Sequence, residues 1–271
     1  MHRKATHMPR HPSLHSWEGT DDAMPHTSIV LLTGVDRLAI DAVAFSLMDS
    51  LPSATSITYD VFPDDSPASG LSMNRTVHGP ADSGNLLGGT PVSFDMEDCC
   101  LTCACKHDLA RELNGALARP GAILATLPIG VEATAVAQHL ADCSMLGDLA
   151  CTIDDIHVAT AVGLDGFESR LFDDDRLVIA GVSEDDAVLD SRSTGVVQSR
   201  LIREAGHVLI LPLMAADGPE ISSRRQACET DRLAAIVAAL ADPAAIIHPD
   251  AHRTDLSAII RDVSAPSHVQ V

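Results

Sequence analysis

Short apolar runs and helix-patterned segments alternate along this chain almost without interruption from Ser28 to His248. Ser28–Thr33 (SIVLLT) ends at Gly34 and reads as a buried strand. Asp36–Ser50 then spaces Leu38, Ile40, Val43, Ala44 and Leu47 at helical intervals, and Ser56–Val61 reads as the next strand. Further strands are predicted at Ala122–Leu127, Ile156–Val162, Arg176–Gly181, His207–Leu211 and Ala244–His248. Helices are predicted over Lys106–Ala118, Gly130–Ala141, Thr194–Glu204 and Arg224–Leu240. Residues 62–90, rich in Gly, Pro, Ser and Asp, read as an insertion loop with a brief strand near Asn74–His78, and Pro91–Met96 as an edge strand. This alternation predicts βαβ units and a predominantly parallel sheet covered by helices on both faces. One α/β domain is expected over residues 27–262, with disordered tails at 1–26 and 263–271. Met24 opens MPHTSIVLLTG directly before the first strand, so translation from there would leave residues 1–23 outside the protein.

The formal charge is −20, from 38 acidic against 18 basic side chains. Such acidity argues against a nucleic-acid surface that neutralises phosphates, and against docking on anionic lipid. No apolar run approaches the roughly 20 residues needed to span a bilayer, and the N-terminus has no apolar segment of the secretory kind. A soluble, cytoplasmic protein is expected. Only Lys4 and Lys106 are lysines; the other sixteen basic residues are arginines. Any chemistry that needs a lysine therefore has two candidates. Seven cysteines in a chain without an export signal suit a reducing compartment better than a disulfide framework. Cys143, Cys151 and Cys228 read as small buried hydrophobes. Cys99, Cys100, Cys103 and Cys105 fall within seven residues, and core packing does not explain them, because neighbouring positions face different ways. Asp173–Asp175 read as a solvated turn, and His157 and His207 as packed or solvent-facing side chains.

The stretch Gly34-Val-Asp-Arg-Leu-Ala39-Ile40-Asp41 lies between a strand and a helix, where a doubly wound protein can cradle a phosphate. Laid on G-x-x-x-x-G-K-[ST], it keeps Gly34 as the first glycine but has Ala39, Ile40 and Asp41 at the Gly, Lys and Ser/Thr places. The cysteine cluster gives this overlay a context. Cys100-Leu-Thr-Cys103-Ala-Cys-Lys-His-Asp108-Leu109 resembles the C-x-C-C and helix-opening Asp-Leu of the CobW branch of the CobW/HypB/UreG P-loop GTPases, with Thr102 in place of the middle thiol. Ile156–Val162 followed by Phe167 is similar to the family's strand ending in an aspartate. Gln198–Leu211 looks like the segment leading to its guanine-reading N-K-x-D. The resemblance covers about residues 28–250. It is nearest to degenerate actinobacterial CobW-like paralogues linked with zinc limitation and with recruiting a hibernation factor to ribosomes.

That resemblance implies a P-loop-NTPase-like doubly wound fold, here without the C-terminal domain of full-length CobW-like proteins. It also implies GTP hydrolysis, from which this chain departs at each chemical position. Ile40 offers neither charge nor donor to a β/γ-phosphate, and Asp41 would set a negative charge beside it. No Asn-Lys pair exists; Pro212, Leu213, Met214 and Ala215 fill those places, and Gly163 replaces the strand-end aspartate. Gly34 is left as a vestigial phosphate-loop residue, and neither GTP nor Mg²⁺ is expected as a cofactor. The metal side of the resemblance survives. Cys100 and Cys103 are the leading Zn²⁺ ligands, since C-x-x-C lets two thiolates approach one ion at about 2.3 Å. Cys105, His107 and Cys99 follow, with Glu97, Asp98, a partner or water to complete the shell. The expected protein is a zinc-binding pseudo-GTPase, not an enzyme, acting in zinc homeostasis or in zinc-dependent recruitment of a protein partner. A ribosomal partner or hibernation factor is implied by the resemblance alone. Two alternatives stay open: a GTP-binding metallochaperone with an unusual phosphate loop, and a cytosolic C-x-x-C dithiol oxidoreductase, because a helix N-terminus favours thiolate.

Overall fold

Ile29–Leu32 are fully excluded from water although successive strand residues face opposite ways, which requires a sheet covered on both faces. The computed structural model describes residues 26–64, 70–80, 91–95, 100–115, 117, 119–181, 187–214 and 220–261, and it contains that sheet. The strands are β1 (His26–Thr33), β2 (Thr55–Pro63), β3 (Leu71–His78), β4 (Val92–Asp95), β5 (Gly121–Thr126) and β6 (Thr152–Gly163), with β9 (His207–Leu211) and β10 (Ile246–His248). Their order across the sheet is β10-β9-β6-β1-β5-β2-β3-β4. The six strands from β10 to β2 run parallel, while β3 and β4 add antiparallel edges. A separate antiparallel pair, β7 (Arg176–Ala180) with β8 (Val188–Ser193), stands outside the main sheet. The architecture is α/β with a large, mostly parallel sheet and helices between its strands.

Two cores flank the sheet. On one face α2 (Leu101–Leu113), α3 (Ala133–Leu146) and α6 (Glu220–Leu240) bury Leu109, Leu113, Val136, Leu140 and Val237 against Ile29, Leu31 and Ile57. On the other, α1 (Arg37–Ser50) and α7 (Leu256–Arg261) bury Ile40, Val43, Leu47, Leu256 and Ile259 against Val30, Leu32 and Leu124. Eight strands about 4.8 Å apart span about 34 Å, whereas one helix covers about 10 Å. Two helices cannot cover such a face, and its β2–β3 end carries Ser56, Thr58, Asp60, Asn74 and Thr76 along an open groove. Among the described residues no helix is long and apolar enough to cross a membrane.

Several boundaries differ from the sequence expectation. Helix α2 starts five residues before Lys106, because the extended backbone of Cys100 caps it: its Sγ accepts from the Cys103 amide, and its carbonyl from the Ala104 amide. It also ends before Ala118, where the Asn114 side chain binds the Asp148 carbonyl and the Ala150 amide across the chain. Residues 71–78, inside the expected insertion loop, form the full strand β3, paired from Ser56↔His78 to Pro63↔Leu71 with β2. β7 was expected in the main sheet and instead pairs with β8, which periodicity does not reveal. α4 (Phe167–Leu171) and α7 are too short to register as helical periods, although both contribute buried side chains. Of the tails expected at 1–26 and 263–271, His26 instead opens β1, and the rest lies outside the described residues, as do parts of 62–90.

Helix α2 is tied to β2 and β3 by a buried ionic group. Asp108, 2% exposed, accepts a hydrogen bond from the Tyr59 hydroxyl at 3.0 Å and from Arg75 at 2.7 Å, and it also pairs with Arg111. Arg75 reaches Glu112 at 2.9 Å as well. Burial, and then the neighbouring Asp108 charge, push the Tyr59 hydroxyl well above its ordinary pKa, so it stays a donor. Asp108 therefore lies in the second turn of α2 and does not open it. Removing one partner of a buried ion pair strands the other charge, so Asp108→Ala is expected to cost about 3–5 kcal/mol in a urea titration. Tyr59→Phe, which deletes a single hydrogen bond, should cost about 1 kcal/mol.

Candidate functional site

β1 lies between β5 and β6, so the chain crosses to opposite sides of β1 and leaves a switch point at the C-terminal ends of these strands. Ligands of doubly wound sheets bind there. In this protein the place is filled by its own side chains. Asp36 is the N-cap of α1 and accepts from the Leu38 amide at 3.0 Å and the Ala39 amide at 3.3 Å. Its carboxylate thus takes the helix-terminal donors and the positive end of the helix dipole that an anion would use. Arg170 of α4 neutralises it at 3.3 Å and donates to the Gly163 carbonyl at the end of β6. The turns after β1 and β5 are joined by Gly130 N–H to the Gly34 carbonyl at 2.9 Å, and by Thr33 Oγ1 to the Val131 carbonyl at 2.8 Å.

Gly34 has a packing reason of its own. A Cβ there would lie 3.0 Å from Ile40 Cγ1 and 3.1 Å from the Ala161 carbonyl oxygen. The glycine therefore lets helix and sheet approach, whether or not a phosphate is bound. Ile40 is fully buried in the α1 core, and Asp41 pairs along the helix surface with Arg37 at 3.0 Å.

The leading thiols are together. Cys100 and Cys103 have their Sγ atoms 3.0 Å apart at the N-terminus of α2, the first exposed and the second half-buried. The helical spacing does this: an N-cap residue and the residue three positions on stand on the same side of the first turn. A disulfide would hold sulfurs at about 2.05 Å, and one tetrahedral zinc would hold them at about 3.8 Å, so the pair stands between the two. Arg192 in β8 lies nearby. Its guanidinium is held by Asp190, by Glu132 at 2.8 Å and by the Gly130 carbonyl at 2.9 Å. Asp190 above all, and in smaller part Glu132 and the Cys100 sulfur, raise the Arg192 pKa, so a fixed positive charge stands within electrostatic reach of Cys100.

The secondary ligands do not join this pair. Cys105, half a helical turn further round, is fully buried, with its Sγ 3.9 Å from Met73 Sδ. Burial, followed by Asp108 and Cys100, pushes its thiol far above the ordinary range. It is a core side chain, which corrects its place among the candidate ligands. His107 lies one turn beyond Cys103 on the exposed face, but its ring packs edge-on against His139 of α3, with centroids 5.2 Å apart. Cys99, Glu97 and Asp98 fall outside the described residues.

Two residues at this seam escape the sequence reading. The helix expected over Gly130–Ala141 runs on to Leu146, where Gly147 closes it in the left-handed conformation at φ 74°. Cys143 therefore joins His139 on one helix face, with His139 Nε2 and Cys143 Sγ 3.7 Å apart. The spacing H-x-x-x-C was visible, but it carries meaning only once the helix is known to include both. Cys143 is half-exposed, where a buried hydrophobe was expected; Cys151 is buried as expected, and Cys228 is exposed. Among the described residues the one group of three or more possible metal ligands already converging is Asp173–Asp175, on an exposed turn. A groove of about 570 Å³ lies between α1 and the bare side of β2–β3, with Thr126 and His78 in its lining and none of the thiols.

A thiol-reactive reagent at neutral pH should modify Cys100 and Cys228 in the native protein and leave Cys105 and Cys151 untouched until denaturant is added. A raised pKa keeps a thiol protonated below it, and burial blocks access, so both effects protect the same two residues. Peptide mass spectrometry reads the result. Replacing the helix cap, Asp36→Ala, should lower stability by about 1 kcal/mol in denaturant unfolding. Compared with protein-family models, curated proteins and solved structures, the chain finds no match in any of the three.

Proposed function

We propose that this protein is a zinc-binding, nucleotide-independent regulator of the CobW-like type, in which Cys100 and Cys103 hold the metal and a protein partner responds to it. The observation that carries the reading is the pair of accessible sulfurs, 3.0 Å apart at the start of α2. Their donor set suits a thiophilic ion: two thiolates beside the fixed charge of Arg192, with the remaining coordination positions left to water or a partner. Zinc in this place would act as a bridge between the two thiolates and such a partner. An incomplete ligand set favours exchange of metal or capture of a partner, whereas a closed four-ligand site would favour a structural role.

The sheet order, with α1 following a central β1, supports the P-loop-like reading of the fold. The Asp36 cap supports the reading that this fold does not use GTP, because phosphate would have to displace a carboxylate bound to two amides and to Arg170. The partner is proposed to be a protein in the cytoplasm; a ribosomal identity rests on the CobW-like resemblance. A dithiol redox role is the second reading, favoured by a sulfur separation shorter than a zinc-bridged pair would show.

The test is a zinc titration with a competing chromophoric chelator, repeated after mild oxidation. Cys100→Ser with Cys103→Ser should bind one equivalent fewer than the parent chain, and bound zinc should protect both thiols from oxidation. Equal stoichiometry in the two proteins, with a Cys100–Cys103 disulfide forming readily in the parent, would replace the zinc reading by the redox one.

A further inference from the structure

We propose that His107, His139 and Cys143, in the seam between α2 and α3, form a transition-metal site of the zinc class separate from the Cys100–Cys103 pair. This goes beyond the function proposed above and does not depend on it. His139 and Cys143 stand one turn apart on α3, with Nε2 and Sγ separated by 3.7 Å. A nitrogen at about 2.0–2.1 Å and a sulfur at about 2.3 Å on one tetrahedral zinc are about 3.6 Å apart. The pair is thus already at chelating distance before any metal arrives.

His107 supplies the third ligand from the opposing helix. Its ring meets that of His139 at 69° with centroids 5.2 Å apart, so its nitrogens do not yet converge with the other two atoms. Its side chain is exposed and outside the core, so bringing a ring nitrogen to the metal means turning that side chain, not repacking the helices. His139 and Cys143 are half-buried, so an ion can reach the seam and water can take the fourth position.

Asp148 and Asp142 lie within electrostatic reach of Cys143 and attract a divalent cation. The thiol releases its proton to solvent when the metal–sulfur bond forms.

Cobalt(II) is the probe, because thiolate-to-cobalt charge transfer and intense visible bands report a four-coordinate site with sulfur. The protein used is the full chain carrying Cys100→Ser and Cys103→Ser, which keeps the seam intact. One equivalent of cobalt should produce the charge-transfer band, and zinc should abolish it by displacement. Adding Cys143→Ser should remove the band, and adding His139→Ala or the exposed His107→Ala should weaken cobalt binding about tenfold or more. Melting curves of each variant exclude loss of fold as the cause. No cobalt–thiolate band in the doubly substituted protein, or one that survives Cys143→Ser, would overturn the proposal. Failure of the Cys100–Cys103 zinc reading would look different: parent and double variant would bind equal metal, with this band intact.

Discussion

The buried carboxylate of Asp108 is the point on which the candidate site turns. An ionised group this far from water is tolerable only if its hydrogen-bonding capacity is met, and Tyr59, Arg75 and Arg111 meet it. Because Tyr59 belongs to β2 and Arg75 to β3, satisfying the charge fixes the rotation of α2 about its own axis. One face then carries Cys105 and Leu109 into the core. The other presents Cys103 and His107 to solvent and to α3. A different rotation would exchange a reactive cysteine for an inert one. The network also braces the two strands whose opposite side forms the open groove beside α1.

At the C-terminal edge of the sheet, arginines do what bound anions and cations do in other doubly wound proteins. Arg170 joins the end of β6 to the Asp36 cap, and Arg192 joins the turn after β5 to Glu132 and Asp190. Both lie in partly shielded positions, where a charge-assisted contact is worth more than on an open surface. These internal pairs tie the strand ends and turns of the switch point to one another. They also give physical content to the shortage of lysine: guanidinium forks suit carboxylates and carbonyls together, which a single ammonium serves less well.

Much of the fold was legible in the sequence because hydrophobic periodicity reports burial directly. β9 and the helix α5 (Thr194–Glu204) match their expected ranges, and β1, β2, β5, β6, α1 and α6 differ mainly at their ends. The errors share a cause. Cys100 as a cap, Asn114 as a terminator and Gly147 as a C-cap act through particular side chains and backbone angles, to which an average over apolar spacing is blind. The misplaced start of α2 hid the role of Cys100, and the early end assigned to α3 hid Cys143. β8, short and with exposed residues alternating with half-buried ones, presents too little apolar periodicity to announce a strand.

By itself the sequence determined the α/β class, the parallel core strands, the absence of lysine from the loop after β1, and the Cys100–Cys103 pair, since each follows from local composition and short spacing. Tertiary structure alone decided that Cys105 is buried, that Asp36 fills the N-terminus of α1, and that His107 meets His139 across the helix seam. Those outcomes depend on groups brought together from distant parts of the chain, and on how a buried charge orients the helix that carries them. No short-range pattern encodes such a convergence.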